Sequence, residues 1–299
     1  MAISVWLKAA RLRTLPLALA SIIMGSFLAA YVSGFRWSVF VLAVLTTLLL
    51  QVLSNFANDY GDSVHGADSA ERQGPDRAVS SGAISPKQMK MAVGLFALAA
   101  LLAGLSLLWV ALGANTQVFL TFLGLGIASI LAAITYTMGK KPYGYAGLGD
   151  ISVLIFFGLV GVIGTFYLHT QRWEPGIVFP AISCGLFAVA VLNLNNIRDI
   201  ESDRKAGKRS IPVRLGRKKA VVYHQLLLYF GLLAAMIFTY THYQSPWQWL
   251  FLLSLPLMVR NIRAVATKLK PQELDPYLKQ MALTTLFFVL TFGIGLLIS

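Results

Sequence analysis

The chain has 299 residues, 57% hydrophobic and 12% charged, with a net charge of +13 and a mean hydropathy of +0.70. Soluble domains carry about 25% charged residues, so this composition excludes an ordinary soluble enzyme and points to a membrane protein whose basic loops face the cytoplasm, with no nucleic-acid partner. The single cysteine, Cys184, lies in an apolar run, which excludes an intrachain disulfide and a cysteine-based zinc site and predicts a packed core thiol.

In chain order, Lys8, Arg11 and Arg13 precede an apolar stretch from Leu15 to Val32. That stretch is longer than the apolar region of a signal peptide, about 7–15 residues, so it reads as a retained span. Nine membrane spans are predicted, at 15–33, 38–57, 88–112, 116–138, 148–170, 175–197, 220–240, 246–265 and 281–298, because each carries the length of apolar sequence a bilayer requires. The whole of 1–299 is expected to form one transmembrane domain. The polar connections 58–87 and 198–219, rich in Gly, Ser, Asp and Arg, read by composition as solvated loops. Gly126, Gly158, Gly161 and Gly164 offer close helix approach, and Trp173, Trp247 and Trp249 read as an aromatic belt at the outer boundary.

With nine spans, the N-terminus and loops 2–3, 4–5, 6–7 and 8–9 share one face. Of the 25 Lys and Arg residues, only Arg36 and Arg172 fall on the other. The positive-inside rule then makes the crowded face cytoplasmic and places the C-terminus outside. Of the 12 acidic residues, only Glu174 lies opposite. Acids contribute little to topology, so their gathering on the basic face calls for another reason.

That reason lies in two matching segments. Span 2 runs into Asn58-Asp59-x-x-Asp62 followed by Asp68, and span 6 runs into Asn195-Asn196-x-x-Asp199 followed by Asp203. If both helices continue, residues four apart share a face. Two facing sets of oxygen ligands suit Mg²⁺, which keeps several waters and bridges to phosphate oxygens. Bases lie beside each set: Arg72 and Arg77 after the first, Lys208 and Arg209 after the second, and Lys140 and Lys141 in loop 4–5. Mg²⁺ with converging Lys and Arg is the chemistry that holds a diphosphate and stabilises its departure. A solvated helix end would account for one motif alone; two matching motifs on one face favour a site. Asp62→Asn and Asp199→Asn each remove a charge that should face Mg²⁺ and are expected nearly to abolish turnover, while leaving the fold intact because both acids end helices. His65 is more simply a loop histidine than a ligand, and His169, His224 and His242 read as interfacial or packing residues.

The segments ARLRTLP at 10–16, NDYGDSVHGAD at 58–68, GPDRAVSSG at 74–82, ITYTMGKKPYGYAGLGD at 134–150 and NNIRDIESDRKAGKRSIPVRLG at 195–216 resemble the UbiA superfamily of intramembrane prenyltransferases, and within it the branch acting on 1,4-dihydroxy-2-naphthoate. The resemblance covers nearly the whole chain. It implies an all-α bundle of nine spans around a central cavity, open sideways to lipid and capped by loops 2–3 and 6–7. It also implies transfer of a polyprenyl group from polyprenyl diphosphate to an aromatic acid. The family's metal and diphosphate motif falls on Asn58, Asp62, Asp68, Asn195, Asp199 and Asp203. Asp62, Asp199 and Lys141 are the implied catalytic residues. Substrate contacts are implied for Arg13, Arg72, Arg77, Tyr136, Lys140, Lys141, Asp150, Lys208 and Arg209. The broad superfamily pattern has three residues between the acids of its first motif; here five separate Asp62 from Asp68, as in the naphthoate branch. Phe156 and Phe157 could join Tyr136 in shielding an allylic cation. Rival readings are prenylation of 4-hydroxybenzoate or another acceptor such as haem or chlorophyllide, and a secondary transporter, which would hold its charges nearer the bilayer midplane. The Asp-Gly-x-x-Ala-Arg signature of the CDP-alcohol phosphotransferases is absent.

Overall fold

The computed structural model describes residues 3–66 and 77–299, and every regular element among them is helical. The short α1 (Ile3–Ala10) leads through a 3₁₀ turn (Leu12–Thr14) into α2 (Leu15–Tyr31). Then come α3 (Trp37–Val64), α4 (Pro86–Leu112) and α5 (Thr116–Thr135). The fifth span combines α6 (Gly149–Val153), a π-helix (Leu154–Gly164) and α7 (Thr165–Thr170). A 3₁₀ turn (Pro175–Ile177) opens α8 (Val178–Arg198), followed by the short α9 (Ile200–Lys205) and α10 (Ile211–Thr241). The chain closes with a 3₁₀ segment (Pro246–Ser254), α11 (Leu255–Thr267) and α12 (Pro271–Leu297). Among the described residues, nine helical segments are long and apolar enough to cross a membrane, as the sequence predicts.

Helix starts follow local chemistry. Ser85 accepts from the Gln88 amide at 3.3 Å while the Gln88 side chain accepts from the Ser85 amide at 3.1 Å, a reciprocal cap reinforced by Pro86 in the first turn. The segment Pro175–Arg198 is the most enclosed of the nine, with 67% of its most apolar stretch buried, whereas Thr116–Thr135 buries none; α8 is therefore the axis of the bundle and α5 an outer member. Around α8 pack α10, the π-helix, α12 and α2. Phe166, Phe187, Phe251, Phe288 and Phe292 interlock there with Met24, Leu28 and Cys184, and Cys184 is the buried thiol expected. A second cluster joins α1, α3 and α4 through Ala9, Leu53, Phe56 and Met89.

Two of the four glycines singled out serve close approach. A Cβ on Gly158 would stand 2.7 Å from the Ala181 carbonyl oxygen of α8, and one on Gly161 would stand 2.8 Å from Ser21 Cβ of α2. Gly126 faces open space and Gly164 only the Phe122 ring. Trp173 and Trp247 are exposed, while Trp249 packs against the core. His169 and His224 are buried, and His242 stacks on Phe238.

The polar connections depart from the loop expectation. Helix α3 runs on to Val64, α9 occupies Ile200–Lys205, and α10 begins at Ile211 with a break at Gly216 (φ 73°). Composition misleads here because Asp59, Asp62, Asp199 and Asp203 are buried and paired, while Glu201, Arg204 and Lys205 stay exposed. The last helix begins at Pro271, ahead of the expected 281, with its first turns carrying Glu273 and Asp275.

Candidate active site

A cavity of about 490 Å³ lies among α2, α3, α4, α5, the fifth span, α8 and α12. Its interior is apolar, with Leu101, Leu108, Phe156, Phe157 and Val160 among the lining residues, and its charged lining residues include Asp62, Arg77, Asp199, Asp203 and Lys208. These come from the end of α3, the end of α8 and the connections that follow them, so the two motifs face each other at one end of the bundle.

Continuation of α3 places Asn58 and Asp62 one turn apart. Asn58 Oδ1 accepts from Thr137 at 3.1 Å. Asp62 is 3% exposed and accepts from Arg77 at 2.7 Å, from the Tyr145 hydroxyl at 2.9 Å and from Lys208 Nζ at 3.0 Å. Asp59, one helical step round, is buried and accepts from the amides of Ala78 and Val79, both at 3.0 Å. It thereby fixes the backbone that delivers Arg77. On the opposite side α8 ends at Arg198, yet the bonds from Asp199 N to Asn195 O (3.1 Å) and from Asp203 N to Asp199 O (2.8 Å) carry the helical spacing across the break. Asn195, Asp199 and Asp203 therefore keep one face.

Lys208 links the two motifs. Its ammonium lies 3.0 Å from Asp62 and 3.4 Å from Asp203, and 4.8 Å from the centre of the Tyr145 ring. Burial works against the charged ammonium, but Asp62 and Asp203 hold its pKa above the ordinary lysine value. Asp203 is pushed up to about 6, chiefly by burial; Lys208 opposes the rise, and the nearby Asp199 and Asp62 add to it. Burial also raises the pKa of Tyr136, with Tyr143 and the carboxylates of Asp150, Asp62 and Asp203 adding to it.

A second network sits behind Asp199. Arg198, with 1% of its side chain exposed, donates from Nε and Nη2 to both Asp199 oxygens at 2.8 and 2.7 Å. It also donates to Asn195 at 2.9 Å and to Asp275 of α12 at 2.7 Å. Arg13 reaches Asp275 at 3.3 Å, so one chain of charges ties the N-terminal segment, α12 and the second motif together. Bidentate pairing fixes a carboxylate's plane as well as its position. Asp150, also lining the cavity, accepts from Tyr223 at 2.9 Å.

The cavity thus gathers Arg13, Asn58, Asp62, Arg77, Tyr136, Asp150, Asn195, Asp199, Asp203 and Lys208. Asp68 and Arg72 lie outside the described residues. Three of the expected bases stand outside the cavity lining. Lys140 and Lys141 are exposed and outside the cavity lining, because the chain turns at Gly139 (φ 101°) and the loop is pinned back by the bond from Tyr143 N to Thr135 O at 3.2 Å. Arg209 docks by its backbone amide on the Tyr145 carbonyl at 2.8 Å and keeps its side chain exposed. Sequence reasoning missed Arg198, Tyr145, Tyr223 and Asp275. Arg198 and Tyr145 stand inside the motif segments, but nothing in the sequence marks Tyr223 or Asp275 as reaching the site.

The donor set fits a hard divalent cation. Asp62, Asp199 and Asp203 supply carboxylate oxygens and Asn58 and Asn195 amide oxygens, although Asn195 Oδ1 accepts from Arg198 and its NH₂ donates to Asp199 at 3.5 Å; an ammonium already stands between two of the carboxylates. Among the described residues no three Asp, Glu, His or Cys side chains converge at metal-holding distance; cationic side chains neutralise the acids instead.

A protein from Haemophilus influenzae, 1,4-dihydroxy-2-naphthoate octaprenyltransferase, is 50% identical to this chain over 99% of its length and 97% of its own. Among solved structures, the apo form of a UbiA homolog from Aeropyrum pernix shares the fold with a TM-score of 0.72 at 17% identity, over 96% of this chain and 98% of that one. A UbiA homolog from Archaeoglobus fulgidus bound to DMAPP and Mg²⁺ shares it with a TM-score of 0.63 at 15% identity, over 96% and 98% of the two chains. The UbiA prenyltransferase family model matches residues 18–291. With paired acidic motifs at one end of the cavity, and with a near full-length relative at half identity, the chain belongs to the UbiA prenyltransferase family.

Proposed function

We propose that this chain transfers a polyprenyl group from polyprenyl diphosphate to 1,4-dihydroxy-2-naphthoate, releasing diphosphate and CO₂ and giving demethylmenaquinone, in its quinol form, for menaquinone biosynthesis. The observation that carries the reading is the pairing of an apolar cavity with a mouth where Lys208 bridges two acidic motifs; the relative at 50% identity supplies the acceptor. The apolar interior takes the polyprenyl chain and the mouth takes the diphosphate. Asn58, Asp62, Asn195, Asp199 and Asp203, with Asp68, would hold Mg²⁺, which neutralises charge on the departing diphosphate. Arg77 and Lys208 bind the diphosphate oxygens and receive the charge that develops there. Arg198 holds Asp199 and Asn195 in position.

The allylic C–O bond breaks and its electron pair leaves on the diphosphate. Phe156, Phe157 and Tyr136, all cavity-lining, shield the allylic cation and exclude water. The electron-rich naphthoate ring attacks that carbon and the ionised carboxylate leaves as neutral CO₂, so charge balances without a net proton. Arg13 and Asp150 orient the acceptor's carboxylate and hydroxyl groups. The domain is one transmembrane unit of a bacterial inner membrane, with loops 2–3 and 6–7 cytoplasmic, in keeping with the distribution of basic residues.

The test is turnover of labelled polyprenyl diphosphate by the purified full-length protein with dihydroxynaphthoate or 4-hydroxybenzoate, with Mg²⁺ or a chelator. Dihydroxynaphthoate is expected to be prenylated in Mg²⁺ alone. Equal or faster use of 4-hydroxybenzoate would overturn the acceptor, and undiminished turnover in chelator would overturn the metal.

A further inference from the structure

Away from the cavity, α11 carries two arginines within a membrane-spanning segment. Arg260 lies seven residues before the end of Pro246–Thr267, about 10 Å of helix rise from that end, and Arg263 lies one turn nearer to it. Charges at such depth are costly unless paired or drawn to the headgroups. Both arginines are exposed, and among the described residues neither forms an ion pair or donates a side-chain hydrogen bond.

They line a second cavity, of about 410 Å³, between α11 and the start of α12. Pro256, Val259 and Ala264 give it an apolar side; Arg260, Arg263, Thr267, Lys268 and Tyr277 give it a polar one. Glu273, at the start of α12, stands 3.9 Å from Lys268. The scaffold is fixed from within. Asn261, on the inner face of α11, is buried, meets His224 at 3.0 Å and donates to the Tyr277 carbonyl at 3.0 Å. Arg217 donates to the Lys268 and Val265 carbonyls that end the helix. The arginines are thus held on the outward face, beside the exposed Val259 and Leu253.

We propose that this groove binds the phosphate headgroup of an anionic glycerophospholipid, with the two arginines and Lys268 on the phosphate and the apolar side against the glycerol and upper acyl chains. Basic pockets between spans on the cytoplasmic side have the chemistry such headgroups require. The proposal requires the chain to span a membrane but not the prenyltransfer reading.

The test compares retention of phosphatidylglycerol and phosphatidylcholine by the full-length protein, read by native mass spectrometry. Wild type is expected to retain phosphatidylglycerol preferentially. Arg260→Gln with Arg263→Gln should weaken that binding roughly 30-fold, about fivefold per arginine, while Arg260→Lys with Arg263→Lys, which keeps the charge, should bind within a few-fold of wild type. Lys218→Gln with Lys219→Gln, the same charge loss at exposed sites elsewhere, should leave retention unchanged. Equal retention of the two lipids by wild type, no loss in the Arg→Gln pair, an equal loss in the Lys218–Lys219 pair, or displacement by millimolar inorganic diphosphate would each overturn the proposal.

Discussion

Neutralising Asp62 tests whether the ion pairs at the cavity mouth hold the protein as well as its substrate. The side chain is 3% exposed and faces Arg77 at 2.7 Å, Tyr145 at 2.9 Å and Lys208 at 3.0 Å. Asn preserves the volume but turns an NH₂ toward cationic donors and leaves two buried cations short of a counter-charge. Breaking a buried pair costs about 3–5 kcal/mol, on the order of 10 °C in Tm. Asp62→Asn should therefore lose turnover and stability together, which revises the expectation from sequence that the fold would be spared. Asp199→Asn should lose turnover as completely with a smaller stability loss, because Arg198 keeps Asp275 and Asn195 as acceptors. The assay is thermal unfolding in detergent beside prenyl transfer, run as a cycle with Lys208→Met. Removing the surplus cation should recover about 1–3 kcal/mol of the Asp62→Asn loss without restoring activity. Additivity of the two changes to within about 0.5 kcal/mol would refute the bridge.

Lys141→Gln should change turnover only a few-fold and Lys208→Gln by roughly 100-fold or more, measured as kcat and KM for the diphosphate substrate; the reverse order would return the catalytic role to loop 4–5. Gly158→Ala should destabilise the bundle by about 1–3 kcal/mol, seen as a lower Tm, because its Cβ would meet the Ala181 carbonyl oxygen at 2.7 Å and Gly185 Cα at 3.0 Å, both backbone. Reporters fused in loop 6–7 and at the C-terminus should read cytoplasmic and external, respectively, and matching readings would mean a miscounted span.

The spans were legible because a bilayer demands a long apolar run, and each of the nine supplies one. The motif residues were legible because matching acids recur at the ends of two helices. Polar composition concealed the extension of α3 to Val64: Asn58, Asp59 and Asp62 look solvated until their partners from distant segments are in place. The same holds for the start of α12, where Asp275 is explained only by Arg13 and Arg198, 262 and 77 residues away. Lys140 and Lys141 show the converse. Their motif is plain, but the direction in which a loop presents its side chains depends on one positive-φ glycine and a few backbone bonds.

The fifth span winds as a π-helix from Leu154 to Gly164 between ordinary α-helical ends. A π-helix accommodates more chain per turn than an α-helix, so this span contains slack. Deleting a residue within 154–164 would let the wide turns relax toward α geometry and absorb the loss, so Thr165 and Leu168, which line the cavity, would keep their facing. The same deletion in a regular α-helix would turn everything beyond it by about 100°. The charged mouth, built from α3, α8 and α9, would be untouched. One wall of the apolar cavity can thus lose a codon without reorienting the residues that follow.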